Sequence, residues 1–172
     1  MKLDPARPNV HFRIGRALLA QGTNKGDAKD LEAAETKFQQ ELESNPSRAN
    51  AAYELAEIYR KQGHEEQARK YFQQAVDNYP AFEEAHVGLA LTQLETDPVS
   101  ARAHLQKAVA LDPEDPVAWY RLGQAERALG YMDEQRKAMA EFAKLKSGQA
   151  PSTRAALNPE VTPQQLDPAS GP

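Results

Sequence analysis

Residues 51–80 read AAYELAEIYRKQGHEEQARKYFQQAVDNYP, two helical stretches around a single glycine. From Ala51 to Gln62 the apolar side chains fall at Leu55, Ala56 and Tyr59; from Glu65 to Asn78 they fall at Ala68, Phe72, Ala75 and Val76. Steps of three and four put each set on one side of a helix of 3.6 residues per turn. Gly63 suits the left-handed backbone that ends the first helix, and Pro80, which has no N–H to donate, stops the second. Small Ala56 and Ala68 predict close helix approach, with Tyr59 and Phe72 filling the space around it. On the outer face, Glu65 with Arg69 and Glu66 with Lys70 predict two i,i+4 pairs, each worth about 0.2–0.5 kcal/mol.

The same unit recurs on both sides. Pro46, Pro80 and Pro113 lie 34 and 33 residues apart, each closing a helical segment. Lys2-Leu3-Asp4-Pro5 has the same form, one period plus an insertion of seven residues before Pro46. That insertion, Thr23 to Lys29, contains Gly26 and Asp27 and predicts a longer surface turn in the first hairpin. In the third period Asp97-Pro98 replaces the glycine, an N-cap followed by proline at the first helical position, and Asp115-Pro116 opens the next helix similarly. Of the 12 prolines, Pro5, Pro46, Pro80 and Pro113 end repeats, and Pro8, Pro98 and Pro116 begin helices. The other five, Pro151, Pro159, Pro163, Pro168 and Pro172, leave no room for a packed helix of ordinary length, so residues 148–172 read as a disordered tail.

A repeat of 34 residues with small and large side chains in these places resembles the tetratricopeptide repeat. The first period supplies Ile14, Gly15, Leu18, Ala34, Phe38 and Pro46, and the second Leu55, Ala56, Tyr59, Ala68, Phe72, Ala75 and Pro80. The third supplies Leu89, Ala90, Ala101, Leu105, Ala108 and Pro113, with Gln93 at the aromatic position. The fourth opens with Trp119, Leu122 and Gly123 and then departs, with Gln135, Phe142 and Ser147 at the later positions. The resemblance implies an all-α, right-handed α-solenoid of stacked hairpins, three good repeats and a degenerate fourth. The expected divisions are residues 6–46, 47–80, 81–113 and 114–147, with 1–5 as the end of a truncated preceding repeat.

Composition removes several classes of function. A chain of 172 residues with net charge −4 and no basic stripe offers phosphate backbones little to hold, so nucleic acid is not an expected partner. The absence of cysteine excludes disulfides, thiolate metal sites and thiol nucleophiles. No apolar run approaches the ~18–20 residues of a membrane span. His64-Glu65-Glu66 lacks the second histidine of a zincin helix, and His86 and His104 stand 18 residues apart without ligand spacing. Adjacent acids such as Glu83-Glu84 point about 100° apart around a helix and read as a solvated face. Gly123 and Gly130 read as a helix contact and a helix end rather than a phosphate loop, and Trp119 as packing between helices. Neither an enzyme nor a metal or cofactor site is expected.

In tetratricopeptide proteins the first helices line a concave groove that holds a peptide or partner helix. The resemblance maps that groove onto Asn9, Phe12, Arg16 and Leu19 in the first repeat and Asn50, Tyr53, Glu57 and Arg60 in the second. It continues through Glu84, Val87, Leu91 and Leu94 in the third and Val117, Tyr120, Gln124 and Arg127 in the fourth. So drawn, the groove is aromatic and aliphatic at its centre with arginines near both ends, which suits an apolar peptide carrying an acidic group. Chaperone-type members clamp a C-terminal carboxylate with lysines, asparagines and an arginine; here those positions hold Phe12, Arg16, Glu54, Glu84 and Gly88, and that clamp is lost.

Both ends carry expectations. The helix from about Pro8 to Gln21 would ordinarily stack on a preceding one, so the chain reads as a fragment of a longer array whose open end would self-associate in isolation. Phe142, at a position usually small, is expected to meet tail residues such as Leu157, Val161 or Leu166. The functional expectation is a non-enzymatic protein-protein interaction scaffold. The alternative is a docking or regulatory module of a longer enzyme or sensor. In general architecture the chain resembles repeat lipoproteins and secretion or pilus assembly factors of bacterial envelopes. The compartment stays open: cytoplasmic as the chain stands, periplasmic if an upstream segment carries a signal peptide.

Overall fold

The computed structural model describes residues 9–25 and 28–149. Among them the chain forms eight helices and no strand: α1 (Val10–Lys25), α2 (Ala28–Ser44), α3 (Ala49–Lys61), α4 (Glu65–Asn78), α5 (Glu83–Gln93), α6 (Pro98–Leu111), α7 (Pro116–Ala128) and α8 (Met132–Gln149). Consecutive helices pair as α1/α2, α3/α4, α5/α6 and α7/α8, and each hairpin stacks on the next through α2/α3, α4/α5 and α6/α7. The odd-numbered helices α3, α5 and α7 also touch in sequence, so they line one side of the stack. This is the tetratricopeptide-type α-solenoid that the repeat implied.

Small residues set the spacing and large ones fill it. Ala34, Ala56, Ala68, Ala90 and Ala101 are fully buried, as are Phe38, Phe72, Leu55, Leu89 and Leu105. A Cβ on Gly15 would stand 2.8 Å from the Phe38 ring and one on Gly88 2.3 Å from the Phe72 ring, so both glycines are required by close packing. Gly123 meets Met139 in the same manner. Trp119 packs, half-buried, against the core of the last two hairpins. Gly63 and Gly130 both take φ +77°, the left-handed conformation that ends α3 and α7. Asp97 accepts from the Ser100 N–H, and Asp115 accepts from those of Val117 and Ala118, each ahead of a proline that starts the helix.

The carbonyls of Pro46, Pro80 and Pro113, the repeat-closing prolines among the described residues, are satisfied from the repeat that follows. Pro113 O accepts from Trp119 Nε1 at 2.9 Å, and Pro80 O from His86 Nε2 at 3.0 Å. Pro46 O takes the amides of Gln74 and Asn78 instead. Because Pro80 O can only accept, neutral His86 carries its proton on Nε2, and its bare Nδ1 accepts from His104 Nδ1 at 3.1 Å. The hairpin thus brings together two histidines that spacing alone kept apart, in a structural contact. Burial, and then the neighbouring His86, hold the His104 pKa below its ordinary value.

Three expectations are corrected. The insertion is not a long turn: Thr23–Lys25 extend α1 and Ala28–Lys29 open α2. Seven residues come close to two helical turns, so lengthening each helix by about one turn keeps both apolar faces in phase. The outer pairs Glu65–Arg69 and Glu66–Lys70 do not form. Arg69 instead donates to Thr92 O at 2.7 Å and Thr96 Oγ1 at 3.2 Å, capping the end of α5, and its approach to Glu66 is 3.8 Å. A charge-assisted bond to a carbonyl outweighs an exposed i,i+4 pair. Phe142 packs on Tyr120, ring centroids 5.3 Å apart. Its expected tail partners, the end of the truncated preceding repeat and nearly all of the tail lie outside the described residues. Gly148 and Gln149, assigned to the tail from sequence, belong to α8.

Two carboxylates are buried where the repeat pattern gave no warning. Glu41 on α2, 3% exposed, accepts from the Phe12 N–H in the first turn of α1 at 3.1 Å and lies 3.5 Å from Arg48 Nε. Glu126 on α7, 2% exposed, pairs with Arg102 Nε of α6 at 2.8 Å. Each charge is compensated by a residue of the adjoining hairpin, so each pair ties two repeats together.

Candidate functional site

On the side lined by α3, α5 and α7 the chain forms a cavity of about 460 Å³. Tyr53 and Glu57 of α3 form one wall; Glu83, Glu84, Val87, Gly88 and Leu91 of α5 form the floor; Asp112, Glu114, Asp115, Pro116 and Val117, from the α6–α7 turn and the start of α7, form the other wall. Successive first helices present their second, fifth and ninth positions to the same space, which is why Glu84, Val87 and Leu91 converge with Tyr53, Glu57 and Val117.

The cavity combines an apolar surface with uncompensated negative charge. Six carboxylates line it, and no lysine or arginine does. Glu57 is neutralised by Arg60, whose Nε and NH2 reach it at 3.1 and 2.9 Å. Asp112 and Asp115 accept backbone N–H groups of the turn and of α7. Glu83, Glu84 and Glu114 form no ion pair among the described residues. Burial, reinforced by the charges of Asp115, Glu84 and Asp112, pushes the Glu83 pKa up to about 7, and its Oε1 is buried without a donor. Tyr53 is pushed up to about 12 by burial and by the negative charge of Glu57, Glu84 and Glu54.

Tyr53, Glu57, Glu84, Val87, Leu91 and Val117 therefore meet in one place, while the other candidate residues lie outside the cavity lining. Asn9 precedes α1 with φ +73° and its carbonyl accepts from the Arg13 N–H. Phe12 is half-buried against Phe38 at 5.9 Å, with the Arg48 guanidinium over its ring, so its surface is spent on the core. Arg16 approaches Glu54 at 3.3 Å, Asn50 is exposed, and Arg60 is held by Glu57. Tyr120 packs on Phe142 and accepts from Gln124, which in turn accepts from Arg121; Arg127 is exposed near the end of α7. The charge reading of the groove is corrected accordingly: Arg16 and Arg60 are engaged by carboxylates, and the centre is acidic.

Sequence reasoning missed Glu83, Asp112, Glu114, Asp115 and Pro116. The groove was drawn from helix positions alone, and four of these residues come from the stretch Asp112-Pro113-Glu114-Asp115-Pro116. Three acids among five residues beside a groove helix were the available signal. Among the described residues no three histidine or acidic side chains are arranged to hold a metal ion, and no helix is long and apolar enough to cross a membrane.

Stacked helical hairpins whose first helices line a continuous recessed face define a helical-repeat protein-interaction module. The tetratricopeptide repeat family model matches residues 19–83, 53–97 and 95–150, most of the chain, and the chain belongs to that family. No curated protein matches it in sequence. Among solved structures it is similar to a crystal structure of MamA, with TM-score 0.68 and 22% identity over 87% of this chain and 78% of that one. MamA 41-end from Desulfovibrio magneticus RS-1 gives TM-score 0.69 and 23% identity over 84% and 78%. The first tetratricopeptide domain of Spaghetti (RPAP3), bound to the HSP90 peptide SRMEEVD, gives TM-score 0.57 and 23% identity over 63% and 86%. At these identities the likeness is one of fold.

Proposed function

We propose that this chain is a non-enzymatic scaffold that holds a segment of a partner protein in the groove lined by α3, α5 and α7. The observation that carries the reading is the cavity itself: Tyr53, Val87, Leu91 and Val117 from three successive hairpins present apolar surface to one recess open to solvent. Its volume falls within the ~300–1,000 Å³ usual for ligand sites. A solved structure of similar fold with a bound peptide supports a peptide-binding reading. Val117 is 50% exposed, and Leu91 is half-buried at the edge of the core, where glutamine keeps the length of the side chain.

Panning a random dodecapeptide phage library on the full chain tests the proposal. Enrichment on the wild type should be lost on the Leu91→Gln, Val117→Gln double variant. It should be kept on Val99→Gln, a substitution on α6 at a residue 65% exposed and outside the cavity. Enrichment that survives the double variant would reject the groove.

A further inference from the structure

We propose that the occupant of this cavity is a lysine or arginine side chain carried on an apolar stretch of the partner protein. The inference rests on the groove reading above and goes beyond it to the chemistry of the ligand. It also reverses the preference for an acidic group that the mapped arginines implied.

The argument is one of complementarity. Glu83, Glu84 and Glu114 face the cavity with no counter-ion, while Arg60, one turn from Glu57 on α3, is paired with that residue through Nε and NH2. Carboxylates gathered in a partly desolvated recess repel one another, and the fold tolerates this by holding one proton on Glu83 up to neutral pH. A cation entering from a partner would remove that repulsion and make charge-assisted hydrogen bonds to oxygens that now lack donors, Glu83 Oε1 among them. A bare metal ion is a poorer match, because no three of the acidic groups converge as ligands. A side-chain cation fits better, since Val87, Leu91 and Val117 offer its aliphatic stem an apolar wall. An acidic peptide such as SRMEEVD would meet like charge at Glu84, where chaperone-type clamps carry a lysine. The chain itself is acidic, with net charge −4, so a basic partner segment is favoured over a second copy by long-range attraction as well.

The panning described above provides the test when the enriched peptides are scored for charge and the experiment is repeated on a Glu83→Gln, Glu84→Gln variant of the full chain. The wild-type pool is expected to carry about two more Lys or Arg than Asp or Glu per peptide. The double Gln variant should lose that bias and bind the most enriched peptide about tenfold more weakly, as expected when close charge pairs across an interface are removed. A neutral or acidic pool that still depends on Leu91 and Val117 overturns the basic ligand and leaves the groove standing. A pool indifferent to Leu91 and Val117 overturns both. Residues 150–172 contain one cation, Arg154. If Arg154→Gln strengthens binding of the enriched peptide tenfold, the chain's own tail is the occupant and the partner proposal fails.

Discussion

The second and third hairpins share one architecture and differ in what fills it. Between α3 and α4 the filling is aromatic: Tyr59 stacks on Tyr71 with ring centroids 5.6 Å apart, and Phe72 packs against Tyr53. Between α5 and α6, Leu105 stands in the place of Phe72, and His104, in the place of Tyr71, meets His86. The turn changes too, from Gly63 with φ +77° to the capped Asp97-Pro98. The stack survives because its spacing depends on Ala56 and Ala68 or their counterparts Ala90 and Ala101, all fully buried. Positions flanking the small residues are free to vary in polarity. The third hairpin uses that freedom to carry Glu83, pushed up to about 7, and His104, held below its ordinary pKa by burial.

Truncating the large core residue of each hairpin gives the sharpest contrast. Phe72→Ala should cost about 3–5 kcal/mol and Leu105→Ala less, about 2–4 kcal/mol, because the aromatic ring leaves the larger cavity. Urea unfolding curves measure both, and a larger loss at Leu105 would invert the comparison. Gly88→Ala comes next, at about 1–3 kcal/mol, since its Cβ would intrude on the Phe72 ring where the two hairpins meet. Combining it with Phe72→Leu should recover part of that loss, and strict additivity of the two changes would mean the clash is absent. Gly63→Ala, forced into the left-handed region, should cost about 1 kcal/mol, and thermal melts of that variant beside Gly63→Asn separate backbone strain from lost contacts.

Protonation effects are the smallest and have opposite signs. His104 resists protonation in the fold, so its contribution is intact above its ordinary pKa and stability is lost as pH falls below about 6.5. Glu83 keeps its proton up to about 7, so it penalises the fold progressively as pH rises from the ordinary carboxylate range to that value. It is faced by Glu84 on its own helix, Asp112 and Asp115 of the α6–α7 turn, and Tyr53 and Glu57 across the cavity. Melting curves from pH 5 to pH 8 should show Glu83→Gln gaining on the wild type as pH rises and His104→Gln gaining as it falls. Parallel curves for the three proteins would remove both assignments.

The fold was legible because its determinants are local and recur: Ala56 with Ala68, Gly63, Phe72 and Pro80 can each be recognised within one period and checked in the next. Contacts made across the stack were not legible. No period in the sequence joins Glu41 to Arg48, or Glu126 to Arg102, because those partners belong to adjoining repeats, nor Glu41 to Phe12 across the first hairpin. The groove was half visible. Tyr53, Glu57, Val87 and Leu91 follow from helix phase, but its charge does not, because Glu57 captures Arg60 and the α6–α7 turn supplies acids that no helix position marks. Seven inserted residues looked like a loop because sequence gives their number, whereas two helical turns preserve the phase of both faces.

Hydrogen exchange of the full chain, with and without the most enriched dodecapeptide, tests the interaction groove most directly. The account predicts added protection in α5 around Val87–Leu91 and at the start of α7 around Val117, with α4 and α6 unchanged on their outer faces. Protection confined to the even-numbered helices would contradict it.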